Sequence, residues 1–128
     1  VRKPLLQPPI FTAETLASWL SSKIDEDQTP GCRLRAICSN GALAGWCGIQ
    51  RESGDFELAL VLSASYWGHG RQVVRRILEW GRELGHTHLL AYLPRSRPQT
   101  KALARLFGQP IGARSIQDTD FDSYFIKL

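Results

Sequence analysis

The clearest pattern of apolar and polar residues lies between residues 56 and 84. Residues 56–62 form a short apolar run of the kind found in buried strands. From Gly70 onward, apolar residues recur on one helical face while charged residues occupy the rest of the surface. The pattern predicts a strand, a turn and an amphipathic helix over residues 70–84, with Gly85 as its C-terminal stop.

The turn between this strand and helix contains two glycines and reads Tyr66-Trp67-Gly68-His69-Gly70. Glycine allows the backbone to approach a bound group closely. The helix that follows presents free N–H groups and the positive end of its dipole. We therefore expect an anion such as a phosphate or pyrophosphate here. The alternative is a strand–helix turn that binds nothing.

The remaining segments predict a sheet built around this unit. Residues 13–24 predict a helix with Thr12 as its N-cap and its apolar residues Leu16, Trp19, Leu20 and Ile24 buried. Residues 33–39 and 42–51 predict a hairpin that turns at Asn40-Gly41. A second turn then leads into residues 56–62, so three consecutive strands are expected to be antiparallel.

The C-terminal part of the chain adds one strand, one helix and a hairpin. The strand at residues 88–93 should be parallel to residues 56–62, because a helix connects the two. A capping box at residues 96–99 precedes a short helix that ends at Phe107. Residues 112–116 and 123–128 form a last hairpin, joined by an acidic loop at residues 117–120. At the other end of the chain, prolines restrict residues 5–7 to an edge strand.

Length and composition narrow the class of protein. A chain of 128 residues with 43% hydrophobic and 22% charged residues fits a single globular domain, spanning residues 1–128. No apolar run approaches the ~20 residues needed to cross a bilayer, and no signal peptide is visible, so we expect a cytoplasmic protein. The net charge of +4 suits an acidic ligand.

The three cysteines do not have the spacing of a zinc site. A regular hairpin register would pair Cys38 with Leu43, Leu34 with Cys47 and Cys32 with Ile49. All three cysteines would then share one face, as buried reduced thiols. His86 and His88 are interpreted as a helix-end cation and a packed ring, so no metal is expected.

One group of residues resembles a known family. A strand carrying Glu, then Leu, then Tyr-Trp-Gly-x-Gly is similar to the GNAT N-acetyltransferase superfamily, most of all to its ribosomal-protein alanine N-acetyltransferases; the matching residues are Glu57, Leu62, Tyr66, Trp67, Gly68 and Gly70. The resemblance implies a mixed α/β (α+β) fold with mostly antiparallel N-terminal strands, a parallel pair at the cofactor site and helices on both faces. It also implies transfer of an acetyl group from acetyl-CoA to a primary amine by direct attack, without a metal.

The resemblance also implies where the cofactor is held. The end of the strand, at Leu62, Ser63 and Ala64, would bind the pantetheine arm and acetyl carbonyl through its backbone. The turn would bind the pyrophosphate through Trp67, Gly68, His69, Gly70, Arg71 and Gln72. Thr100, on the short helix, occupies a position that the superfamily fills with Ser or Ala.

The catalytic residues depart in part from the pattern of the superfamily. Glu57 is the candidate general base, with an ion pair to Arg33 or Arg35 as its structural alternative. The superfamily places a proton-donating Tyr where this chain has Ala104, and an Asn where it has Arg97. Tyr124 is therefore the candidate acid, with Tyr92, Ser96 or solvent as alternatives. The departures also favour a second hypothesis, a non-catalytic module that binds CoA or acts by interaction alone.

The acceptor is not specified by the sequence. A small-molecule or protein amine is expected, charged tRNA is kept among the acceptors, and the protein is expected to be a monomer or homodimer without a membrane partner. The acidic residues Asp118, Asp120 and Asp122 would either attract the amine or form an exposed turn. The arginines of the main helix spread around its surface, which favours a solvated face over nucleic-acid binding.

Overall fold

The computed structural model describes residues 13–52, 54–95, 100–116 and 118–128. Three expectations lie outside the described residues: the edge strand at residues 5–7, the Thr12 cap and the capping box at residues 96–99. No helix within the described ranges is long and apolar enough to span a membrane.

The helices and strands follow one another in the order that the sequence predicts, and a 3₁₀ helix occupies the glycine turn. In chain order they are α1 (Ala13–Asp27), β1 (Arg33–Ser39), β2 (Ala42–Glu52), β3 (Asp55–Leu62), a 3₁₀ helix (Ala64–His69), α2 (Gly70–Glu83), β4 (His88–Pro94), α3 (Thr100–Phe107), β5 (Gly112–Ile116) and β6 (Thr119–Lys127).

Within the described residues, six strands form one mixed sheet in the order β1-β2-β3-β4-β6-β5. Only β3 and β4 are parallel, and α2 is the crossover between them. The main core lies between the sheet and the helices α2 and α3, and it includes Ile49, Leu62, Ile77 and Leu89. Because α1 contacts β1 and β2 through the opposite face, the mixed sheet with helices on both faces is confirmed.

Two boundaries differ from the sequence prediction. β6 begins at Thr119, four residues before the predicted strand, so the acidic loop shortens to a tight turn in which Asp118 has a φ of 63°. Asp122 now lies within β6 and binds Arg95, at 2.8 Å and 3.0 Å. At the other end of the chain α1 continues to Asp27, so residues 25–27 belong to a helix and not to a loop.

The predicted buried face of α1 is wrong for the two side chains that the structure describes. Leu20 and Ile24 are 46% and 59% exposed. The helix instead faces the sheet with polar residues: Lys23 bonds to Gln50, and Asp27 accepts the Leu34 backbone N–H at 2.8 Å. This backbone bond is the largest cause of the lowered pKa of Asp27. Polar contacts therefore determine how the described end of α1 sits on the sheet.

A β-bulge changes the predicted hairpin register. Cys38 pairs with Leu43 as predicted, but Ile37 pairs with Gly45, so Ala44 is an extra residue in β2. Beyond the bulge Cys47 pairs with Arg35 and joins the core on the α2 side. Because a shift of one residue reverses the faces of a strand, the three cysteines do not share a face. Cys32 and Cys47 are buried, whereas Cys38 is exposed.

Next to the bulge, the backbone of β2 at Gly45 lies close to the backbone of β3, which yields the first prediction. A Cβ at this position would overlap the carbonyl oxygen of Val61 on β3. We expect Gly45→Ala to lower the free energy of unfolding by about 1–3 kcal/mol, as overpacking does. Denaturant unfolding measures the change.

Gly112 provides the matched control. It also lies in a strand, but a Cβ there would meet nothing within 4 Å. Gly112→Ala should change stability by less than about 0.5 kcal/mol. Equal effects of the two substitutions would contradict the close approach of β2 and β3 at Gly45.

Candidate active site

The parallel strands β3 and β4 are joined at a single residue pair, Glu57↔Leu90. On their other sides, β3 pairs with β2 over eight positions and β4 pairs with β6 over seven. Each strand therefore follows its antiparallel neighbour, and the two diverge beyond Glu57. The result is a splay in the middle of the sheet.

The backbone of β3 faces this splay at alternate residues. The Ser63 N–H donates to the Ala44 carbonyl at 2.8 Å, so Ser63 and the residues in phase with it bond toward β2. In an antiparallel ladder the intervening residues direct their N–H and C=O groups the other way. Leu60 and Leu62 therefore present their backbone edge to the gap. Ser63 has its N–H engaged with Ala44 and its carbonyl with the Tyr66 N–H.

A cleft of ≈ 210 Å³ occupies the splay. Side chains from both faces of the sheet line it, which is possible only at an opening between strands. Those on the α2 and α3 side are apolar and include Leu58, Leu60, Val74, Leu103 and Phe107. Those on the α1 side include Trp46, Gln50, Glu57, Tyr92 and Arg114. The cleft is thus apolar on the α2 and α3 side, whereas its α1 side combines these polar groups with the apolar residues Ala59, Val61 and Phe121.

Glu57 lies at the closed end of the splay and is half-buried. Its Oε1 accepts a hydrogen bond from Gln50 Nε2 at 2.9 Å, and Gln50 Oε1 accepts one from Lys23 Nζ at 3.0 Å. The expected ion-pair partners of Glu57 are engaged elsewhere: Arg33 pairs with Glu83 at 3.1 Å and Arg35 with Asp27 at 2.8 Å. The expected ion pair of Glu57 with Arg33 or Arg35 is therefore replaced by a contact with the side-chain amide of Gln50.

The glycine turn is helical. Residues Ala64–His69 form a 3₁₀ helix that runs into α2 through His69, whose φ and ψ are −92° and −1°. His69 makes no side-chain hydrogen bond that caps α2. Neither Gly68 nor Gly70 has a positive φ. A Cβ at Gly68 would meet nothing within 4 Å, and one at Gly70 would come no closer than 3.7 Å to Leu103. The described fold therefore does not itself require glycine at these positions.

The other predicted cofactor residues flank this turn in the chain, except Thr100, which lies on α3. Leu62 is buried at the end of β3, and Ser63 follows it half-buried. Arg71 and Gln72 are exposed in the first turn of α2. Ala64 and Trp67 are in the 3₁₀ helix, and Thr100 is the first residue of α3; the side chains of these three are outside the described part.

The structure separates the two candidate phenols. Tyr124 is 5% exposed, belongs to the core on the α3 side and packs its ring against Phe107 at 5.5 Å. Burial, and next the charge of Asp122, raises the pKa of Tyr124. Tyr92 is the tyrosine that lines the cleft, and its ring lies under the Arg114 guanidinium at 5.1 Å. The catalytic role assigned to Tyr124 stays a prediction.

Sequence reasoning did not single out Gln50, Lys23 or Arg114 as site residues. Lys23 lies seven residues after Leu16 and four after Trp19, so it shares the helix face that the apolar pattern predicted to be buried. Gln50 is placed beside Glu57 by the short turn between β2 and β3. The available signal was that register: counting back from the turn pairs Gln50 with Glu57.

Other reactive side chains are engaged outside the cleft. The His86 Nε2–H donates to the Gly31 carbonyl at 2.7 Å, and the His88 ring stacks on Phe125 at 4.4 Å. Across the described residues, no group of three or more His, Cys, Asp or Glu side chains is arranged to hold a metal ion.

The family of the chain follows from comparison with known proteins. A model of the Acetyltransferase (GNAT) family matches residues 5–112, so the chain belongs to the GNAT acetyltransferase family. No curated protein matches the chain.

Solved structures share the fold at low identity. A ribosomal-protein-alanine N-acetyltransferase from Brucella melitensis is 19% identical, with a TM-score of 0.68 over 94% of this chain and 81% of that one. An N-acetyltransferase from Staphylococcus aureus Mu50 is 19% identical, with a TM-score of 0.69 over 91% and 78%. The protein yncA from Salmonella typhimurium, solved with its cofactor acetyl-CoA, is 15% identical, with a TM-score of 0.64 over 93% and 75%.

The burial of the cysteines leads to the second prediction. Burial raises the pKa of Cys47 to about 11 and also raises the pKa of Cys32. At pH 8 only about one Cys47 thiol in a thousand would be the reactive thiolate. We expect an aromatic disulfide reagent to modify one thiol per native chain rapidly, that of the exposed Cys38.

Cys38→Ser should remove the rapid phase and leave the two slow thiols, while denaturation should expose all that remain. A rapid phase that survives Cys38→Ser would show that a buried cysteine is accessible and would contradict the burial of Cys32 and Cys47.

Proposed function

We propose that the chain transfers the acetyl group of acetyl-CoA to a primary amine. The observation that carries this proposal is the splay of β3 from β4 with Glu57 at its closed end. An opening through the sheet allows two substrates to meet from opposite faces. Glu57 is placed on the face from which the amine would approach.

The residues around the splay fit acetyl-CoA. The apolar half of the cleft and the backbone edge of Leu60 and Leu62 suit an extended pantetheine arm. Gly68 has open space where a side chain would stand, next to the positive end of α2. In our proposal, the stretch from Trp67 to Gln72 binds the pyrophosphate, and the backbone N–H groups of this stretch donate to the phosphate oxygens. The bound thioester supplies an activated acyl carbon.

The α1 side of the cleft would receive the amine. An amine is protonated at neutral pH and attacks only after it loses a proton, so the site needs a base within hydrogen-bonding reach, directly or through one water. Glu57 is the carboxylate among the residues that line the cleft. Trp46 and Tyr92 provide flat walls beside it.

The departing thiolate needs a proton or must leave as the anion. Tyr92 lines the cleft from β4, whereas Tyr124 on β6 packs in the core against Phe107, which also lines the cleft. The Tyr124 hydroxyl is protonated at neutral pH with or without this shift, and its raised pKa makes it a weaker acid than an ordinary tyrosine. Tyr92 lines the cleft directly, so it competes with Tyr124 for this role.

The identity of the acceptor stays open within this proposal. One fold relative is by its name a ribosomal-protein-alanine N-acetyltransferase, which supports a protein N-terminus among the candidates. Small-molecule amines and charged tRNA are kept beside it. A cytoplasmic location and a monomeric or homodimeric state also stay proposals.

The third prediction tests cofactor binding at the turn. Acetyl-CoA at ~100 times its dissociation constant should raise the free energy of unfolding by about 2.7 kcal/mol.

Gly68→Glu should weaken acetyl-CoA binding about tenfold more than Gly68→Gln, because the two side chains match in size and only the first repels a phosphate. Calorimetry at low and high salt measures the difference.

The difference should shrink at 1 M salt, where the Debye length falls to about 3 Å. Both variants should fold, since position 68 is exposed and open. Equal affinities of the two variants at low salt would remove the pyrophosphate from this turn.

The fourth prediction concerns Glu57. Glu57→Gln should leave acetyl-CoA affinity nearly unchanged and lower kcat on an accepted amine by about a hundredfold or more. The loss should diminish at high pH, where the amine is already deprotonated. Glu79→Gln, the same chemical change on the exposed face of α2, is the matched control and should keep wild-type turnover.

Wild-type turnover by Glu57→Gln at pH 7 would exclude Glu57 as the base. The wild-type protein could instead bind acetyl-CoA tightly and acetylate none of a panel of amines. That result would favour the second hypothesis, a non-catalytic module, which is also supported by Ala104 at the position where the superfamily has a tyrosine.

A further inference from the structure

Gln50 is a buried polar side chain in the wall of the cleft. Gln50 is 8% exposed, and among the described residues it is the one polar or charged residue that is buried. Its amide is used at both ends: Oε1 accepts from Lys23 Nζ at 3.0 Å and Nε2 donates to Glu57 Oε1 at 2.9 Å. A buried amide is costly unless its groups are bonded, and here both ends have partners.

The two partners determine which way the amide points. An ammonium group has only donors, and an ionised carboxylate has only acceptors. The reverse orientation would place the amide NH₂ against Lys23 and the amide oxygen against Glu57. Only the observed orientation satisfies both, so the dipole of Gln50 runs from the cation to the anion. The charge of Lys23 therefore polarises the N–H that bonds to Glu57.

We propose that Gln50, oriented by Lys23, is a positioning residue that fixes the Glu57 carboxylate in the cleft and stabilises its ionised form. The inference rests on the proposed function, in which Glu57 is the base. It adds the residues that hold this base in the state able to accept a proton at neutral pH.

The relay joins three elements. Lys23 also bonds to Glu26 at 3.1 Å and lies over the Trp46 ring at 4.7 Å. Trp46 and Glu57 both line the cleft. Through Lys23, α1 therefore contacts Trp46 directly and reaches Glu57 by way of Gln50. Movement of α1 away from the sheet would therefore release Gln50 from the bond that orients its amide.

Other charged and titratable groups face this network from the elements around it. Glu26 balances part of the charge of Lys23. Arg114 reaches the cleft from β5 over Tyr92. Asp55 and His88 lie on the same sheet face, each two residues from the Glu57↔Leu90 pair. None of these groups changes in the variants below, so a difference between variants reports Gln50 and Lys23.

The first measurement needs no activity. Carboxyl ¹³C shifts of glutamate-labelled protein, with Glu57 assigned by Glu57→Gln, give the titration midpoint of this carboxyl. Gln50→Met fills the same space without a donor, and the midpoint should rise by about one pH unit. Gln50→Glu places a second carboxyl at the same site and should raise the midpoint further, because two neighbouring carboxylates share a proton.

Lys23 gives a separate test with a conservative rescue. Lys23→Met removes the cation and leaves Gln50 in place, so the midpoint should rise by less than in Gln50→Met. Lys23→Arg keeps a cationic donor and should return the midpoint to the wild-type value. A purely structural lysine would give the same midpoint in all three proteins.

The second measurement is the pH profile of kcat/KM, whose acidic limb reports the base of the free enzyme. In Gln50→Met the limb should move to higher pH by the same amount as the ¹³C midpoint, and much of the rate should return on the alkaline side. Ile49→Val is the matched control. Ile49 is the neighbour of Gln50 in β2, and its side chain packs in the core on the opposite face of the sheet. It should lower the melting temperature without moving the limb.

The outcomes separate this inference from the proposed function. An unmoved ¹³C midpoint in folded Gln50→Met and Gln50→Glu overturns the relay, whatever the activity. A shifted midpoint in a protein that acetylates no amine upholds the relay and removes the proposed function. A shifted midpoint with an unshifted kinetic limb shows that Glu57 is not the base and overturns the positioning role of Gln50 in catalysis.

Discussion

The single residue pair between β3 and β4 is the constraint on which the rest of the structure depends. It divides the sheet into two antiparallel halves, β1-β2-β3 and β4-β6-β5, each paired along its own length. Helix α2 connects the halves and packs Val74 and Ile77 into the core below them. A fully paired parallel ladder would close the gap. The cleft exists because each central strand is held more extensively by its outer neighbour.

The same division gives the two ends of the cleft different physical character. On the α2 and α3 side, the alternate residues of β3 and β4 join an apolar core. On the α1 side, the intervening residues meet a helix that is tied to the sheet by Lys23 and Asp27. On this second face a buried amide, that of Gln50, bonds to Glu57, and the cation of Lys23 bonds to the other end of that amide. The polar docking of α1 and the placement of the candidate base therefore have one physical cause.

Much of the fold could be predicted because local signals agree with the tertiary structure. Gly85 follows α2, Asn40-Gly41 forms the hairpin turn, and a crossover helix makes β3 and β4 parallel. The face of α1 could not be predicted in the same way, since periodicity identifies an apolar stripe and not the polar contacts that bind Lys23. The bulge at Ala44 was also hidden, because one extra residue in a strand leaves no mark in composition yet exchanges its two faces.

The residues of the candidate site also differ in how far they could be predicted from the sequence. Glu57 and the glycine turn stand out in sequence because their residue types are unusual where they occur. Gln50 does not, because a glutamine in a strand is ordinary until the register is known. Its importance comes only from geometry: the register of β2 against β3 brings its amide to Glu57, and α1 brings Lys23 to the other end. A base on a rigid strand needs its charge state set by neighbours, and those neighbours are drawn from separate elements. The residues that tune a site are therefore harder to predict from sequence than those that react in it.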